Sequence, residues 1–151
     1  MERLSNMVES FVMIQEDYKK IYQLWTEIAE SEADEVTDED IICDNMCFED
    51  YDGWCLITAL DGDNFAEEIL LKLSAGKKLL YFFSDESQLD CEFIVIENNT
   101  TIRKKYIYYD TPELNEDEGC LQCEDEYEFL EWNDVDKFIE IAREEPERLF
   151  V

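Results

Sequence analysis

Residues 78–110 read KLLYFFSDESQLDCEFIVIENNTTIRKKYIYYD, and whether they form strands settles the fold class. Three runs within them, Leu79 to Phe83, Cys91 to Glu97 and Ile102 to Tyr109, are rich in β-branched, aromatic and other apolar residues. Such side chains suit a pleated, half-buried surface. Asn98-Asn99 separates the last two runs, and asparagine tolerates the left-handed backbone of a tight turn. The stretch therefore predicts an antiparallel meander. Its bases, Arg103, Lys104 and Lys105, are expected to guard a hairpin end or strand edge, with alternate tyrosines packing on the two sheet faces.

Upstream, WCLITAL (Trp54 to Leu60) is a short apolar run bounded by Asp-Gly pairs, which predicts a further strand. Asn64 with Glu67 three residues on resembles a capping box, and Phe65, Ile69, Leu70 and Leu73 before Gly76 predict a short helix. From Met7 to about Ala29, Val8, Phe11, Ile14, Tyr18, Ile21, Trp25 and Ile28 recur at steps of three and four, the stripe of one long helix. The acidic segment that follows reads as a solvated loop or short helix anchored by Ile41, Ile42 and Phe48. Near the C-terminus, Asn133 or Asp134 can cap a last helix carrying Val135, Phe138, Ile139 and Ala142, ending near Pro146. The expectation is one α+β domain over residues 1–151: an antiparallel sheet of about four strands packed by a long N-terminal helix and a C-terminal helix.

Charge narrows the function. Among 151 residues there are 41 acids and 12 bases, a formal net charge of −29. Such a field repels nucleic acid and anionic membrane and attracts basic proteins. The acids concentrate in two base-free segments, Glu27 to Asp52 and Asp110 to Glu131. No histidine is present, which removes the commonest general base and metal ligand. Neither a phosphate-binding glycine loop nor a nucleophile elbow occurs, so no enzyme and no cofactor are expected. The N-terminus MERLSNMVESF lacks the basic-then-apolar order of a secretory signal, and no apolar run reaches membrane-spanning length, which predicts a cytoplasmic protein with its cysteines reduced.

NEDEGCLQCEDEYEF (Asn115 to Phe129) holds a Cys-x-x-Cys among acids, and three readings compete for it. Cys43 and Cys47 with Cys120 and Cys123 have spacings that zinc accepts, although four thiolates would add negative charge where acids already repel. A redox pair needs a depressed thiol pKa, and flanking carboxylates act the other way. In the third reading one or both cysteines face the core and the acids form a surface. That surface is expected to bind a partner through Glu113, Glu116, Asp117, Glu118, Glu124, Asp125, Glu126 and Glu128, with Asp38, Glu39 and Asp40 from the first run. Tyr127, Phe129 and Trp132 are its aromatic anchor candidates, since aromatics dominate binding hot spots. Asp61-Gly-Asp63-Asn64 lacks the calcium-loop pattern. RKKYIYY (Arg103 to Tyr109) resembles a nucleic-acid strip, but three bases do not offset the global charge.

KKYIYYDTPELNEDEG followed by YEFLEWNDVDKFIEIA resembles the C-terminal halves of immunity proteins of bacterial polymorphic toxin and contact-dependent inhibition systems, where a tyrosine-rich strand and acidic loop precede a final amphipathic helix. The resemblance covers roughly the last third of the chain. It implies a cytosolic protein that binds one cognate toxin, commonly a nuclease, over its active cleft. Acidic DNA-mimic inhibitors of DNA-binding, restriction or CRISPR proteins are the alternative resemblance.

Overall fold

A computed structural model gives the structure of the protein and describes residues 8–125 and 135–150. Among these residues nine strands form one sheet: β1 (Val8–Ile14), β2 (Glu35–Val36), β3 (Asp40–Cys43), β4 (Met46–Tyr51), β5 (Trp54–Ala59), β6 (Leu79–Asp85), β7 (Asp90–Glu97), β8 (Thr100–Ile107) and β9 (Glu116–Gly119). Their order is β2-β3-β4-β5-β1-β6-β7-β8-β9, and every pairing is antiparallel. Three short helices accompany them: α1 (Tyr18–Ala29), α2 (Glu67–Ser74) and α3 (Val135–Glu144). The expected four-stranded sheet under a long N-terminal helix is therefore wrong.

The error begins at β1. This strand lies between β5 and β6, and Ser10 through Ile14 are all buried. A strand covered on both faces carries apolar side chains at successive positions, so Val8, Phe11 and Ile14 match a helical stripe without being one. Asp17 is the true helix start, its carboxylate accepting the backbone N–H groups of Lys19 and Lys20 at 3.1 and 3.3 Å. The second error covers residues 30–53, expected to be a solvated loop or short helix. Asp44-Asn45 and Asp52-Gly53 have φ of 52°, 62°, 51° and 88°, the left-handed pairs that close two-residue hairpins. They join β3 to β4 and β4 to β5, while the turn at Thr37, whose N–H donates to the Asp40 carbonyl at 2.9 Å, joins β2 to β3.

The meander forms as its sequence predicts, with Asn98 and Asn99 at φ 55° and 62°. The α2 helix also forms, but its expected capping box does not. Ala66 is the N-cap, without a side-chain bond; Asn64 donates to Glu92 at 3.2 Å, and Glu67 accepts from Thr101 and Lys104.

Strand alternation divides the core into two layers. On one face Val12, Ile14, Phe48, Ile57, Tyr81 and Ile94 pack against α1 and α2. On the other, Phe11, Met13, Leu80, Phe82, Phe93 and Val95 pack against α3 and the 3₁₀ turn Pro146–Phe150. Phe138 of α3 stacks on Phe93 with ring centroids 4.2 Å apart. Burying such a ring contributes about 2 to 3 kcal/mol. The last helix thus forms over the expected residues; its anticipated caps, Asn133 and Asp134, lie outside the described residues.

Candidate functional site

Acids occupy both edges of the sheet, in different electrostatic situations. At the β8–β9 edge, register sets Arg103, Lys104, Lys105 and Tyr106 opposite Gly119, Glu118, Asp117 and Glu116. Arg103 is only 4% exposed as a side chain. Its Nε and Nη2 donate to the two oxygens of Glu124, each at 2.9 Å, and its Nη1 donates to Asp117 at 2.6 Å and to the Glu118 carbonyl at 3.0 Å. Lys105 reaches the second oxygen of Asp117 at 2.7 Å. On the opposite face Lys104 pairs with Glu67 at 2.9 Å and Glu116 at 3.1 Å.

These contacts move the titrations. Burial would lower the Arg103 and Lys104 pKa values, but the carboxylates of Glu124 and Asp117 on the first, and of Glu67 and Glu116 on the second, outweigh it and raise both. Lys105 and then Arg103 hold the Asp117 carboxyl below its ordinary range. For Glu67, burial acts upward, yet hydrogen bonds from Thr101 and Lys104 leave it lowered. Three of the expected recognition acids, Glu116, Asp117 and Glu124, are therefore engaged inside the chain. Glu113, in the 3₁₀ turn Pro112–Leu114, and Glu118 are exposed and make no ion pair with a described residue. The side chain of Asp125 and all of Glu126, Tyr127, Glu128, Phe129 and Trp132 lie outside the described residues.

Gly119 makes the tight β8–β9 approach possible. Its φ is +79°, and a Cβ there would stand 2.0 Å from the Ile102 carbonyl oxygen. The backbone of β9 comes closer to β8 than any side chain permits.

At the β2–β4 edge the acids have no cation partner among the described residues. No Lys or Arg occurs from Ile21 to Leu71, and none of the acids from Glu30 to Asp52 forms an ion pair with a described residue. Neutral donors order some of them. The Thr37 hydroxyl donates to Asp40 at 2.9 Å and accepts the backbone N–H groups of Glu39 and Asp40, shaping a hairpin tip that leaves Asp38 and Glu39 exposed. Trp25 donates its indole N–H to Asp44 at 2.9 Å. Hydrogen bonds from Ser31 and then Trp25 keep the Asp44 carboxyl below its ordinary range.

The cysteines do not converge. Cys43 pairs with Met46 and Cys47 with Ile42, so the two thiols project from opposite faces of the sheet. Cys120 follows β9, six strand positions from β4, a separation of roughly 30 Å at the ordinary strand spacing. The four-thiolate alternative thus loses its geometry at Cys43, Cys47 and Cys120, while the Cys123 side chain lies outside the described residues. No cluster of three or more His, Cys, Asp or Glu able to hold a metal occurs among the described residues. Burial first, and then a neighbouring carboxylate, push the thiols of Cys43, Cys47 and Cys91 up to about 11, 12 and 12. At neutral pH they are protonated core residues.

Sequence reading missed a buried polar node beneath α2. Glu92, 3% exposed, accepts hydrogen bonds from Tyr81 at 2.8 Å, from Asn64 at 3.2 Å and from Tyr108. Tyr81 in turn accepts the Phe65 N–H at 3.1 Å, so the node pins the loop before α2 to the sheet. Burial raises the Tyr81 and Tyr108 pKa values, and the Glu92 charge adds to it. An acid flanked by apolar residues in CEFIVIE was the available signal, because a charge inside a buried strand requires partners.

No known protein family matches this chain, and neither a curated protein nor a solved structure matches it. Among the described residues no helix is long and apolar enough to cross a membrane.

Proposed function

We propose that this protein is an inhibitor of a basic protein, acting as an immunity protein that blocks the active cleft of a cognate nuclease-type toxin with its acidic surface. The observation that carries the reading is the acidic edge: β2, β3 and β4 come from a stretch without Lys or Arg, and their carboxylates form no ion pair with a described residue. Carboxylates held on a rigid sheet can occupy the positions at which a nuclease's Lys and Arg meet phosphates. Their field would raise the association rate by about 10- to 1,000-fold at low salt. A DNA mimic would be expected to use both acidic runs comparably. The pairing of Glu116, Asp117 and Glu124 with Arg103, Lys104 and Lys105 favours a single local patch instead.

The test is co-purification from the native host together with co-expression of the neighbouring reading frame's product. A basic protein that binds stoichiometrically, and whose toxicity the chain suppresses, supports the proposal. Suppression should fail when Asp38, Glu39 and Asp40 are reversed to Lys. Competition by DNA across several unrelated DNA-binding proteins would instead establish the mimic, and recovery of no basic partner would remove both.

A further inference from the structure

On the α3 side of the sheet a groove of about 420 Å³ opens beside the helix. Its floor is Phe11 and Met13 of β1 with Leu56 of β5, and its rim is the turn after β5, where Leu60 is 56% exposed. Its place follows from the strand register. One cross-strand row runs Val95, Leu80, Met13, Leu56, Glu49, Asp40 over six consecutive strands on a single face. The four apolar residues of that row lie in the layer packed by α3, and its two acids lie on β4 and β3. The groove sits where the row changes character.

Carboxylates surround it. Glu9 and Asp61 line it directly, and Glu49 is the cross-strand neighbour of Leu56. Arg143 is the only base among its described lining residues, and it is held by Glu9 at 2.6 Å with both side chains about half exposed. A volume in the range of ligand pockets, an apolar floor and an acidic rim together fit a large apolar side chain with a cation next to it.

We infer that this groove receives an anchor segment of the basic partner: an aromatic or large aliphatic side chain on Phe11, Met13 and Leu56, flanked by a Lys or Arg that engages Glu9, Glu49 and Asp61. The inference rests on the reading of the partner as a basic protein and names where that partner's specificity is set. The carboxylate edge attracts many basic proteins alike; the groove selects among them by shape. Arg143 competes for Glu9, so the incoming cation takes over a contact that the free protein makes internally.

The experiment uses the full-length chain with ¹³C-labelled methyl groups and a probe tripeptide, acetyl-Lys-Trp-Lys-amide. Saturable shifts should appear at the methyls of Met13, Leu56 and Leu60. Replacing the probe's Trp by Ala should weaken them about tenfold or more, since the apolar contact is lost. The acidic counterpart acetyl-Glu-Trp-Glu-amide should leave them unmoved. Arg143→Ala should tighten the probe by about 2- to 5-fold, the range of an exposed competing ion pair. Leu60→Ser, at an exposed position that leaves the fold intact, should weaken it. Absence of saturable shifts at these methyls, or equal shifts with the acidic peptide, overturns the inference. A toxin that co-purifies yet binds Leu60→Ser and Arg143→Ala as tightly as the parent refutes the groove while leaving the proposed function standing.

Discussion

Replacing Glu124 by Gln tests whether the acids around Cys120 are structural. Glu124 is 12% exposed and gives both oxygens to an Arg103 guanidinium that is 4% exposed. Charge-assisted hydrogen bonds contribute about 1.5 to 3 kcal/mol each, so losing two sets an upper bound near 6 kcal/mol. Two features reduce it. Asp117 and the Glu118 carbonyl stay on Arg103, and the Gln carbonyl can still accept one bond from it. The remaining loss is about one charge-assisted bond plus part of the cost of a buried cation left short of countercharge, near 2 kcal/mol. For a chain of this size that is about 4–8 °C in Tm. Asp117→Asn removes a carboxylate that is 57% exposed and should cost less than about 1 kcal/mol. Urea unfolding of the two variants and the parent gives the comparison. A Glu124→Gln cost below about 0.5 kcal/mol would refute the assignment of this corner to structure, and a larger cost for Asp117→Asn would refute the ranking of the two acids by burial.

Gly119→Ala should destabilise by more than about 1 kcal/mol in the same assay, because the added methyl meets the Ile102 carbonyl and the positive φ disfavours alanine. Neutralising Asp38, Glu39 and Asp40 together to amides takes the net charge from −29 to −26. It should change stability by no more than about 0.5 kcal/mol, while lowering the salt sensitivity of association with a basic protein, read by stopped flow. Acid should loosen the β9 edge. Asp117 and Glu67 have folded pKa values below their unfolded values near 3.8 and 4.5, so the stability they give is complete above those values and lost as pH falls through the lower folded ones. The protection of the β9 amides relative to their intrinsic exchange should hold level down to about pH 5 and fall below about pH 4; unchanged protection at pH 3 would contradict the ion-pair network.

The parts of the fold that could be read from the chain are those in which local chemistry and tertiary role agree. The meander has apolar runs, a two-asparagine turn and strands whose burial matches their pattern. Trp54 to Ala59 and the helix carrying Phe138 are legible for the same reason. The failures have separate causes. In β1, burial on both faces produced an apolar run whose spacing imitates a helix. In β3 and β4, high charge hid strands that Asp44-Asn45 and Asp52-Gly53 mark, eight residues apart, as consecutive hairpins. The β9 strand, Glu-Asp-Glu-Gly, has no strand propensity and is exposed throughout. It exists because β8 offers an unpaired edge bearing three cations, which is a property of register and not of its own residues. The candidate site divides in the same way. Both acidic runs look alike in sequence, and only the pairing of β8 with β9 distinguishes neutralised acids from free ones.

That division follows from how the chain spends its few bases. Twelve cations cannot balance 41 acids, so where the cations stand decides where the field emerges. Chain order keeps them out of residues 21–71, and the topology gathers that segment's strands, β2 through β5, on one side of the sheet. Arg103, Lys104 and Lys105 sit on the eighth strand of the order, five positions beyond β4. At the ordinary strand spacing this is about 24 Å, roughly three Debye lengths at physiological ionic strength. Cations that far away do not quench the opposite edge. The negative charge is therefore least compensated on the β2–β4 side, whereas at the far edge Arg103, Lys104 and Lys105 offset part of the acids in holding β9. On the proposed reading, a basic partner attracted along that field would arrive over the strands that border the Phe11–Met13–Leu56 groove, so that long-range steering and short-range selection would act on the same side of the molecule.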